Sequence, residues 1–361
     1  MSGAGAGSPD VVRTPAEAAA AELEPLVVLE PLAGYLDAAG LLGSGELTVA
    51  PIGEGHSNVT FLVERGGERL VLRRPPRGPL PPSAHDVVRE ARLLAALRPH
   101  GTPVPEVLAS CEDPGVVGAP FYLMTYVDGW VLTADLPPAL DTPEAPAEIA
   151  AQLVDNLVEL HALSPSAEGL GGFGRPDGYL ARQLKRFGGL LENNATRPLP
   201  DLERVTEWLA ANLPSSPAPT VVHGDYRLGN VMFAPREPRL AAILDWEMAT
   251  IGDPLADVGY MTATWSASAD PANAVSDLSP VTRRPGFPGR DDLARRYAER
   301  SGRSVDALYW YQVLALWKAA IFLEGNYKRF VAGTTADPYY AVLEQGVPAL
   351  ASAALARTRG A

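Results

Sequence analysis

Two short apolar runs in the second half of the chain each end in an acidic residue, and this arrangement constrains the fold most. Val221–Val222 leads through His-Gly to Asp225, and Leu240–Leu244 ends at Asp245. Asn230 lies between them, five residues after Asp225. Apolar runs of this length, bounded by glycine and by acidic or amide residues, predict strands that end in loops. The sequence therefore predicts two neighbouring strand ends that each present a carboxylate, with an amide between them.

Residues 29–127 predict a small domain built on an antiparallel sheet, because apolar segments alternate with glycine-containing turns. The predicted strands are Leu47–Ile52, Val59–Val63, Leu70–Arg73 and Phe121–Val127, and the predicted helix is Ser83–Leu97. Ahead of this domain, residues 1–28 are predicted to form a mobile tail and a helix. The tail covers the Gly-, Ala- and Ser-rich residues 1–14, and the helical stretch runs from Pro15 towards Ala39.

Residues 128–361 predict a larger, mainly helical domain, since apolar residues recur there at helical spacing. The predicted helices are 144–163, 179–193, 202–213, 253–265, 305–330 and 338–357, of which 305–330 is either one long helix or a helix pair. The Pro-, Ser- and Asp-rich residues 266–290 are predicted to form a loop. A sheet-based domain followed by a helical one belongs to the α+β class.

Composition and charge argue against several classes of protein. With 47% hydrophobic and 20% charged residues, the chain is typical of a globular protein. Its net charge of -13 argues against a nucleic-acid binder and weakly favours a cationic substrate. No apolar run has the length of a membrane span, the N-terminus lacks a secretory-signal pattern, and Cys111 is the single cysteine. We therefore expect a cytoplasmic monomer or homodimer with no membrane and no nucleic-acid partner.

The polar residues of the central stretch suit phosphoryl transfer, which needs an aimed acceptor hydroxyl and neutralised phosphate charge. Asp225 is predicted to accept or orient the acceptor's proton. Asn230 and Asp245 are predicted to bind Mg²⁺, which prefers hard oxygen ligands. Arg227 is predicted to steady the transferring phosphate, and His223 to pack within the turn. Either motif alone is equally well explained as a capped strand end, but their order and spacing together favour phosphoryl transfer.

The first predicted hairpin carries candidate contacts to nucleotide phosphates. Gly53 and Gly55 would let backbone amides approach phosphate oxygens, and Ser57 and Asn58 complete the same turn. Asn58 stands where a Gly-x-Gly-x-x-Gly pattern has its third glycine, so a plain hairpin turn is the alternative interpretation.

An arginine at the end of the third predicted strand is the next candidate. Arg73 is predicted to pair with the α- and β-phosphates and to be held by Glu90 of the following helix. Kinases use lysine at this place, and arginine is bulkier and offers more donors. Arg74 is the competing candidate, and a simple surface charge is the structural alternative.

Four segments resemble the aminoglycoside phosphotransferase (choline-kinase-like) family. They are Gly53–Val63, Leu70–Pro76, Val222–Asn230 and Leu244–Asp257. The resemblance covers roughly residues 29–330. It is strongest to the kinase domains associated with acyl-CoA dehydrogenases, where an arginine-rich strand end also runs into Pro-Pro and Pro-Ser-Ala-His also precedes the helix.

The resemblance implies a bilobal protein-kinase-like fold with a small antiparallel-sheet N-lobe and a larger, mainly helical C-lobe. It implies ATP or GTP and Mg²⁺ as cofactors. It places Met124, Tyr126 and Val127 in a hinge that binds the nucleotide base, and Asp257 below the catalytic loop as a brace. The family's acceptors include aminoglycosides, macrolides, choline, sugars and hydroxylated acyl thioesters.

The acceptor itself stays open at this point. We expect a small-molecule hydroxyl, possible examples being a hydroxyacyl thioester or an aminoglycoside-like compound. Candidate lining residues are aromatic and charged side chains of the C-terminal helices: Tyr309, Trp310, Trp317, Glu324, Tyr327 and Arg329. Because an aromatic stripe at helical spacing is more often core than pocket, none of these is assigned to the site.

Two other classes compete with a small-molecule kinase. A nucleotide-binding module without transferase activity is suggested by Arg73 and Asn58, which stand where kinases have lysine and glycine. A metal-dependent phosphoesterase is suggested by the Gly-Asp and Gly-Asn pairs, although such sites gather several histidines around two metals. No histidine follows Asn230, which weakens this last interpretation.

Overall fold

The computed structural model describes residues 10–53, 58–78, 85–270, 273–334 and 338–359. The chain divides into two units, Met1–Asp128 and Gly129–Ala361. The predictions for the tail over residues 1–9, and for Gly55 and Ser57, fall outside the described residues.

The first unit is built around an antiparallel sheet. In chain order, its strands and helices are β1 (Val11–Val12), α1 (Pro15–Ala20), β2 (Val27–Val28), α2 (Leu29–Ala39), β3 (Thr48–Pro51), β4 (Val59–Arg65), β5 (Glu68–Arg74), α3 (Val87–Leu97), β6 (Val107–Cys111), α4 (Pro114–Val117) and β7 (Phe121–Thr125). Five strands pair in the order β3-β4-β5-β7-β6, each antiparallel to its neighbour. The predicted meander β3-β4-β5 is therefore present, and β6 is an edge strand that the sequence did not reveal.

One face of this sheet carries the core of the first unit. Because side chains alternate along a strand, Phe61 and Val63 of β4 point to the same side, with Leu72 of β5 beside them. Leu32 and Leu36, one turn apart on α2, pack onto this cluster. These five side chains are fully buried, so α2 is held to the sheet by apolar contacts.

Two expectations for the N-terminal segment differ from the structure. Val11–Val12 forms a short parallel pairing with Val27–Val28, so the part of the predicted tail beyond residue 9 is ordered in a bridge. The helical stretch expected from Pro15 onwards is split into α1 and α2. Pro25 explains the break, because a proline restricts the residue before it to extended conformations.

The second unit is mainly helical. In chain order, its helices and strands are α5 (Ala145–Ala162), α6 (Tyr179–Asn194), α7 (Pro200–Ala211), β8 (Thr220–Val222), β9 (Val231–Phe233), β10 (Leu240–Ile243), β11 (Thr250–Gly252), α8 (Leu255–Thr264), α9 (Arg290–Ser301), α10 (Leu308–Val331) and α11 (Leu343–Arg357). The long helix α10 packs against α6, α7, α8 and α11. In the described part of the chain, no helix is both long enough and apolar enough to cross a membrane.

Two small antiparallel pairs set the position of the central polar residues. Strands β9 and β10 pair with Val231 opposite Ile243, which brings residue 230 next to residues 244 and 245. Strands β8 and β11 pair with Val222 opposite Thr250, so the chain leaves β8 where it enters β11. The polar residues that follow β8 and β10 therefore come from short strands with buried side chains and fixed registers.

Candidate active site

The loop after β8 brings Asp225 and Asn230 into direct contact. Asn230 Nδ2 donates to Asp225 Oδ2 at 2.6 Å and to the Asp225 carbonyl oxygen at 2.9 Å. Gly224 makes the turn possible, because its φ is +87° and a Cβ there would lie 2.7 Å from the carbonyl oxygen of Met248. Only glycine tolerates both conditions without strain. Two residues that are five positions apart in the sequence thus form one polar cluster.

Asp257, at the start of α8, holds this loop through its backbone. Its Oδ2 accepts the His223 amide at 2.7 Å, and its Oδ1 accepts the Gly224 amide at 2.7 Å. The carboxylate is fully buried. A buried carboxylate that accepts several N–H groups is a strong anchor, since losing it would leave each donor unsatisfied. The predicted bracing position of Asp257 is thus matched by its contacts.

A buried histidine and tyrosine extend the bracing network behind Asp257. His161 Nε2 donates to Asp257 Oδ2 at 3.2 Å, and Tyr297 donates its hydroxyl to His161 Nδ1 at 2.8 Å. Burial lowers the pKa of His161 below its ordinary value, even though the Asp257 carboxylate favours the protonated form. The imidazole is therefore neutral in the folded protein. Sequence reasoning missed His161 and Tyr297, because they lie far along the chain from the loop.

His223 links the Asp225 loop to the chain segment that carries Asp245. Its Nδ1 accepts the Asp225 amide at 3.2 Å, and its Nε2 donates to the Leu244 carbonyl oxygen at 2.8 Å. The Leu244 amide in turn donates to the Asn230 carbonyl oxygen at 2.8 Å. These bonds agree with the packing role predicted for His223. They tie together the backbones from which Asp225, Asn230 and Asp245 project.

Asp245 has an unusual backbone conformation, with φ +64° and ψ +62°. A non-glycine residue in the left-handed region carries strain of roughly 1 kcal/mol or more, and such residues gather at functional sites. Trp246 follows it and is buried, with its indole N–H donating to the Ile243 carbonyl oxygen at 2.9 Å. The surrounding packing therefore fixes the turn that carries the Asp245 carboxylate.

Arg227 lies beside Asp225 and forms a long ion pair with it. Its Nε is 3.9 Å from Asp225 Oδ1. A Cβ at Gly229 would overlap the end of the flexible Arg227 side chain, so Gly229 lies directly beside the guanidinium. Arg227 belongs to the same polar cluster as Asp225 and Asn230.

Tyr260, one turn after Asp257 on α8, is a further member of this cluster. Burial, reinforced by the negative charges of Asp225 and Asp245, raises the pKa of its hydroxyl well above the ordinary value. Both carboxylates therefore lie within electrostatic range of one side chain. Sequence reasoning missed Tyr260, although its spacing of three from Asp257 places both on one helix face.

The donor atoms in this cluster fit a magnesium ion. Because Asn230 Nδ2 donates to Asp225, Oδ1 is the atom that Asn230 can offer to a cation. Asp245 adds a carboxylate, and Mg²⁺ is commonly held by one or two carboxylates together with phosphate oxygens. Within the described ranges, no group of three or more His, Cys, Asp or Glu side chains is arranged to hold a metal ion. These two oxygen ligands therefore suit a metal ion whose remaining ligands come from a bound phosphate and from water.

In the first unit, Arg73 and Glu90 form the predicted pair. Arg73 Nε donates to Glu90 Oε2 at 3.1 Å, and Arg73 Nη1 donates to Thr60 Oγ1 at 3.3 Å. The Glu90 side chain is 2% exposed and that of Arg73 12%. The pair therefore holds the guanidinium at the end of β5 through side-chain contacts from α3 and β4.

Arg74 points elsewhere and is bound by backbone carbonyls. Its Nη1 donates to the carbonyl oxygens of Leu26 and Val117, the latter at 2.9 Å, and its Nε donates to that of Pro75 at 3.0 Å. Burial lowers the pKa of Arg74 to about 10. Since adjacent residues of a strand face opposite sides, only Arg73 can meet Glu90. Of the two candidate arginines, Arg73 has the geometry that was expected.

The remaining nucleotide-binding candidates lie at the ends of β3, β4 and β7. Gly53 has φ +79°, and no residue of the described ranges lies within 4 Å of the position that a Cβ would take there. Asn58 is buried, and its Oδ1 accepts from His85 Nδ1 at 3.1 Å. Met124 is in β7, while Tyr126 and Val127 follow the strand, half-buried, so the predicted strand is two residues shorter than expected. Their contact with a nucleotide base remains a prediction.

Three of the six residues offered for the acceptor pocket, Trp310, Trp317 and Glu324, have structural contacts in the core. Trp310 and Trp317 are buried and donate to the Leu209 carbonyl oxygen and to Thr206. Glu324 is fully buried and accepts from Thr196 and from Arg197 at 3.2 Å. Leaving these side chains out of the predicted site agrees with their positions in the core.

Comparison with known proteins gives a family match over most of the chain. The family described as "Phosphotransferase enzyme family" matches residues 48–306. Acyl-CoA dehydrogenase family member 10 of Mus musculus is 35% identical over 299 residues, which are 81% of this chain and 28% of the relative. The chain spans between 28% and 39% of the length of the acyl-CoA dehydrogenase relatives that it matches.

Solved structures share the fold. A protein of Ralstonia eutropha JMP134 described as a "putative aminoglycoside phosphotransferase" has a TM-score of 0.76 and 29% identity, covering 92% of this chain and 98% of that one. A thermostable mutant of aminoglycoside phosphotransferase APH(4)-Ia, in ternary complex with AMP-PNP and hygromycin B, has a TM-score of 0.54 and 18% identity, covering 91% and 96%. The predicted α+β protein-kinase-like fold and family resemblance are thereby confirmed.

Proposed function

The chain belongs to the phosphotransferase enzyme family, and on this premise we propose that it is a small-molecule kinase that transfers the γ-phosphoryl group of ATP or GTP to an acceptor hydroxyl oriented by Asp225. The observation that carries the proposal is the cluster of Asp225, Asn230 and Arg227, together with Asp245 at the adjoining strand end.

In the proposed reaction, Asp225 accepts or orients the proton of the acceptor hydroxyl. The acceptor oxygen forms a bond to the γ-phosphorus while the bond from that phosphorus to the β–γ bridging oxygen breaks, which releases the nucleoside diphosphate. The acceptor's proton passes to the Asp225 carboxylate and then to solvent. The Asn230 amide holds the carboxylate in place, and Arg227 neutralises charge on the transferred group.

Magnesium is the cofactor that these residues suit. Asn230 Oδ1 and the Asp245 carboxylate would hold it, and when bound it would neutralise the charge on the nucleotide's phosphates. Arg73 is the proposed contact to the α- and β-phosphates, with Glu90 keeping the guanidinium in place. The AMP-PNP in the APH(4)-Ia complex supports a nucleoside triphosphate as the donor.

The acceptor is proposed as a small molecule with a free hydroxyl. The APH(4)-Ia complex contains hygromycin B. The sequence relatives, in contrast, are named acyl-CoA dehydrogenase family members. Both aminoglycosides and hydroxylated acyl compounds therefore belong in an acceptor panel.

A nucleotide-consumption assay over that panel, with Mg²⁺ present or chelated, tests the proposal. Wild type is compared with Asp225→Asn and Asp245→Asn, which keep the side-chain size and remove the charge. Loss of the proposed general base should lower kcat by roughly a hundredfold to ten-thousandfold. Asp245→Asn should raise the Mg²⁺ concentration needed for half-maximal activity.

Asp201→Asn is the matched control, because Asp201 is a partly exposed carboxylate on the first turn of α7. It should leave kcat and the Mg²⁺ requirement unchanged. Phosphoryl transfer that survives both Asp225→Asn and Asp245→Asn at the wild-type rate would rule out the proposed roles.

A further inference from the structure

Of the two lysines on α10, Lys318 is the one within electrostatic range of the polar cluster. Lys318 is half-buried, and its Nζ is 4.7 Å from the centre of the Phe187 ring on α6. The carboxylates of Asp225 and Asp257 lie within electrostatic range of its ammonium group. Lys318 is seven residues after Tyr311, which donates to Asp253 at 2.7 Å, so both side chains are on the α10 face that packs towards α8.

Lys318 lacks the close carboxylate that Arg197 has in Glu324 and that Arg296 has in Asp155. Among the residues that the structure describes, no atom accepts a hydrogen bond from Lys318 Nζ and no carboxylate lies within 4.0 Å of it. A partly desolvated cation without a close counter-charge is costly, which is why such groups are usually paired or functional.

The cost of burying this charge appears as a lowered pKa of Lys318. Burial lowers its pKa to about 8, and the nearby Arg186 guanidinium acts in the same direction. The charges of Asp225 and Asp257 oppose the shift. The ammonium group is therefore still mostly protonated at neutral pH and retains its full capacity to donate hydrogen bonds.

From this placement we propose that Lys318 binds the acceptor, and that the acceptor carries a negatively charged group, a carboxylate or a phosphate, near the hydroxyl that receives the phosphoryl group. The inference rests on the proposed function, because it assumes that the acceptor hydroxyl meets Asp225. Lys318 would then determine specificity, because its charge favours anionic acceptors over polycationic ones.

Local charge supports an anionic acceptor. An acceptor that bears several ammonium groups would meet Lys318 and Arg186, two like charges, next to the reacting hydroxyl. The Asp225 carboxylate repels an acceptor that bears an anion. Arg227, 3.9 Å from Asp225, is assigned to the transferred phosphoryl group, so Lys318 is the cation proposed to compensate the charge of the acceptor. The net charge of -13 does not decide the matter, since charges beyond about 8 Å are largely screened at physiological salt.

Matched pairs of acceptors test the charge preference directly. One pair is a hydroxy acid and its primary amide, which differ in the carboxylate charge; the other is glycerol 3-phosphate and glycerol, which differ in the phosphate. Each is assayed with wild type, Lys318→Met, Lys318→Arg and the control Lys328→Met. Lys328 is an exposed lysine on the same helix that donates to the Asn193 carbonyl oxygen.

The expected result is a selective loss. Removing one charge-assisted contact should raise KM for the preferred anionic acceptor by roughly tenfold to a hundredfold, with the neutral partner unchanged. Lys318→Arg should retain part of the preference, and Lys328→Met should behave as wild type. The pair that responds identifies the anion as a carboxylate or a phosphate. An equal loss on charged and neutral acceptors, or no loss on either, would overturn the proposal.

A labelling experiment separates this inference from the proposed function, since it needs no turnover. The chain has three lysines, Lys185, Lys318 and Lys328, so mass spectrometry after reductive methylation can follow each one. The anionic member of a pair should protect Lys318 more than its neutral partner does, and should leave Lys328 unprotected. Protection without any phosphoryl transfer would contradict the kinase assignment but keep the anion site. Transfer without selective protection would contradict the anion site alone.

Discussion

The catalytic loop of the second unit and the arginine strand of the first both present charged side chains, but they are held in different ways. The loop is fixed through its backbone, because Asp257 accepts the amides of His223 and Gly224. Arg73 lies in a central strand, and its guanidinium group is itself held by side-chain contacts with Glu90 and Thr60.

This difference predicts how each region responds to mutation. Changing the buried carboxylate beneath the loop should disturb stability and turnover together, since the backbone conformation itself depends on it. Changing an arginine on β5 should separate the two effects, because one arginine faces Glu90 and its neighbour faces backbone carbonyls.

Asp257→Asn should have the largest effect. The amide group can accept only through one atom, so one of the His223 or Gly224 amides would face another donor. Such buried mismatches cost about 1–3 kcal/mol each, and a shift of the loop by about 1 Å can lower turnover by roughly a hundredfold. Chemical denaturation and kcat measurements on the same preparation check both expectations.

Asp201→Asn serves as the control here too: it should leave kcat unchanged and lower the free energy of unfolding by about 1 kcal/mol at most, since its charge lies at an exposed helix start. If Asp257→Asn kept the wild-type kcat despite a lower free energy of unfolding, the loop would not depend on the carboxylate for its catalytic geometry. The contrast between the two regions would then fail.

Arg73→Gln and Arg74→Gln should divide binding from stability. Arg73→Gln should raise KM for the nucleotide by roughly tenfold or more, because a charge-assisted contact to phosphate is lost. Arg74→Gln should lower the free energy of unfolding by roughly 1–3 kcal/mol, because the Leu26 and Val117 carbonyl oxygens lose their donor. Saturation curves for the nucleotide and denaturation curves, measured for both variants, distinguish the outcomes. An equal rise in KM for the two would remove the distinction between Arg73 and Arg74.

Much of this architecture was predictable from local sequence pattern. The strands β3, β4 and β5 and the helices α5 and α6 follow from apolar periodicity and from glycine turns, which act over a few residues. The strand β6 was missed, as was α9, a mostly charged helix of which only Leu293, Ala294 and Tyr297 are buried. Neither has a strong periodic signal of its own, and packing against the rest of its unit decides its structure.

The residues of the candidate site also fall into those that local sequence pattern indicates and those that only the tertiary structure reveals. Asp225, Asn230 and Asp245 could be proposed because they lie in one short stretch with a recognisable spacing. His161 lies 96 residues from Asp257, and Lys318 is one charge in a long aromatic-rich helix, so only the tertiary structure relates them to the loop. Residues proposed to contact the reacting groups were therefore easier to predict than those proposed to position or select them.

The smallest expected effect concerns pH and tests the network behind Asp257. Burial lowers the pKa of His161 below its ordinary value of 6.5, so between the folded and unfolded pKa values the unfolded chain binds more protons. The free energy of unfolding should therefore fall as the pH drops below about 6.5, and level off below the folded pKa.

His161→Gln removes the titrating group, so the free energy of unfolding should depend less steeply on pH between about pH 7 and about pH 5. His100→Gln, outside the network, should keep the wild-type slope. Denaturation midpoints over this range decide the matter. Equal slopes for wild type and His161→Gln would mean that the imidazole gains no proton on unfolding, and the description of His161 as a neutral link between Tyr297 and Asp257 would be wrong.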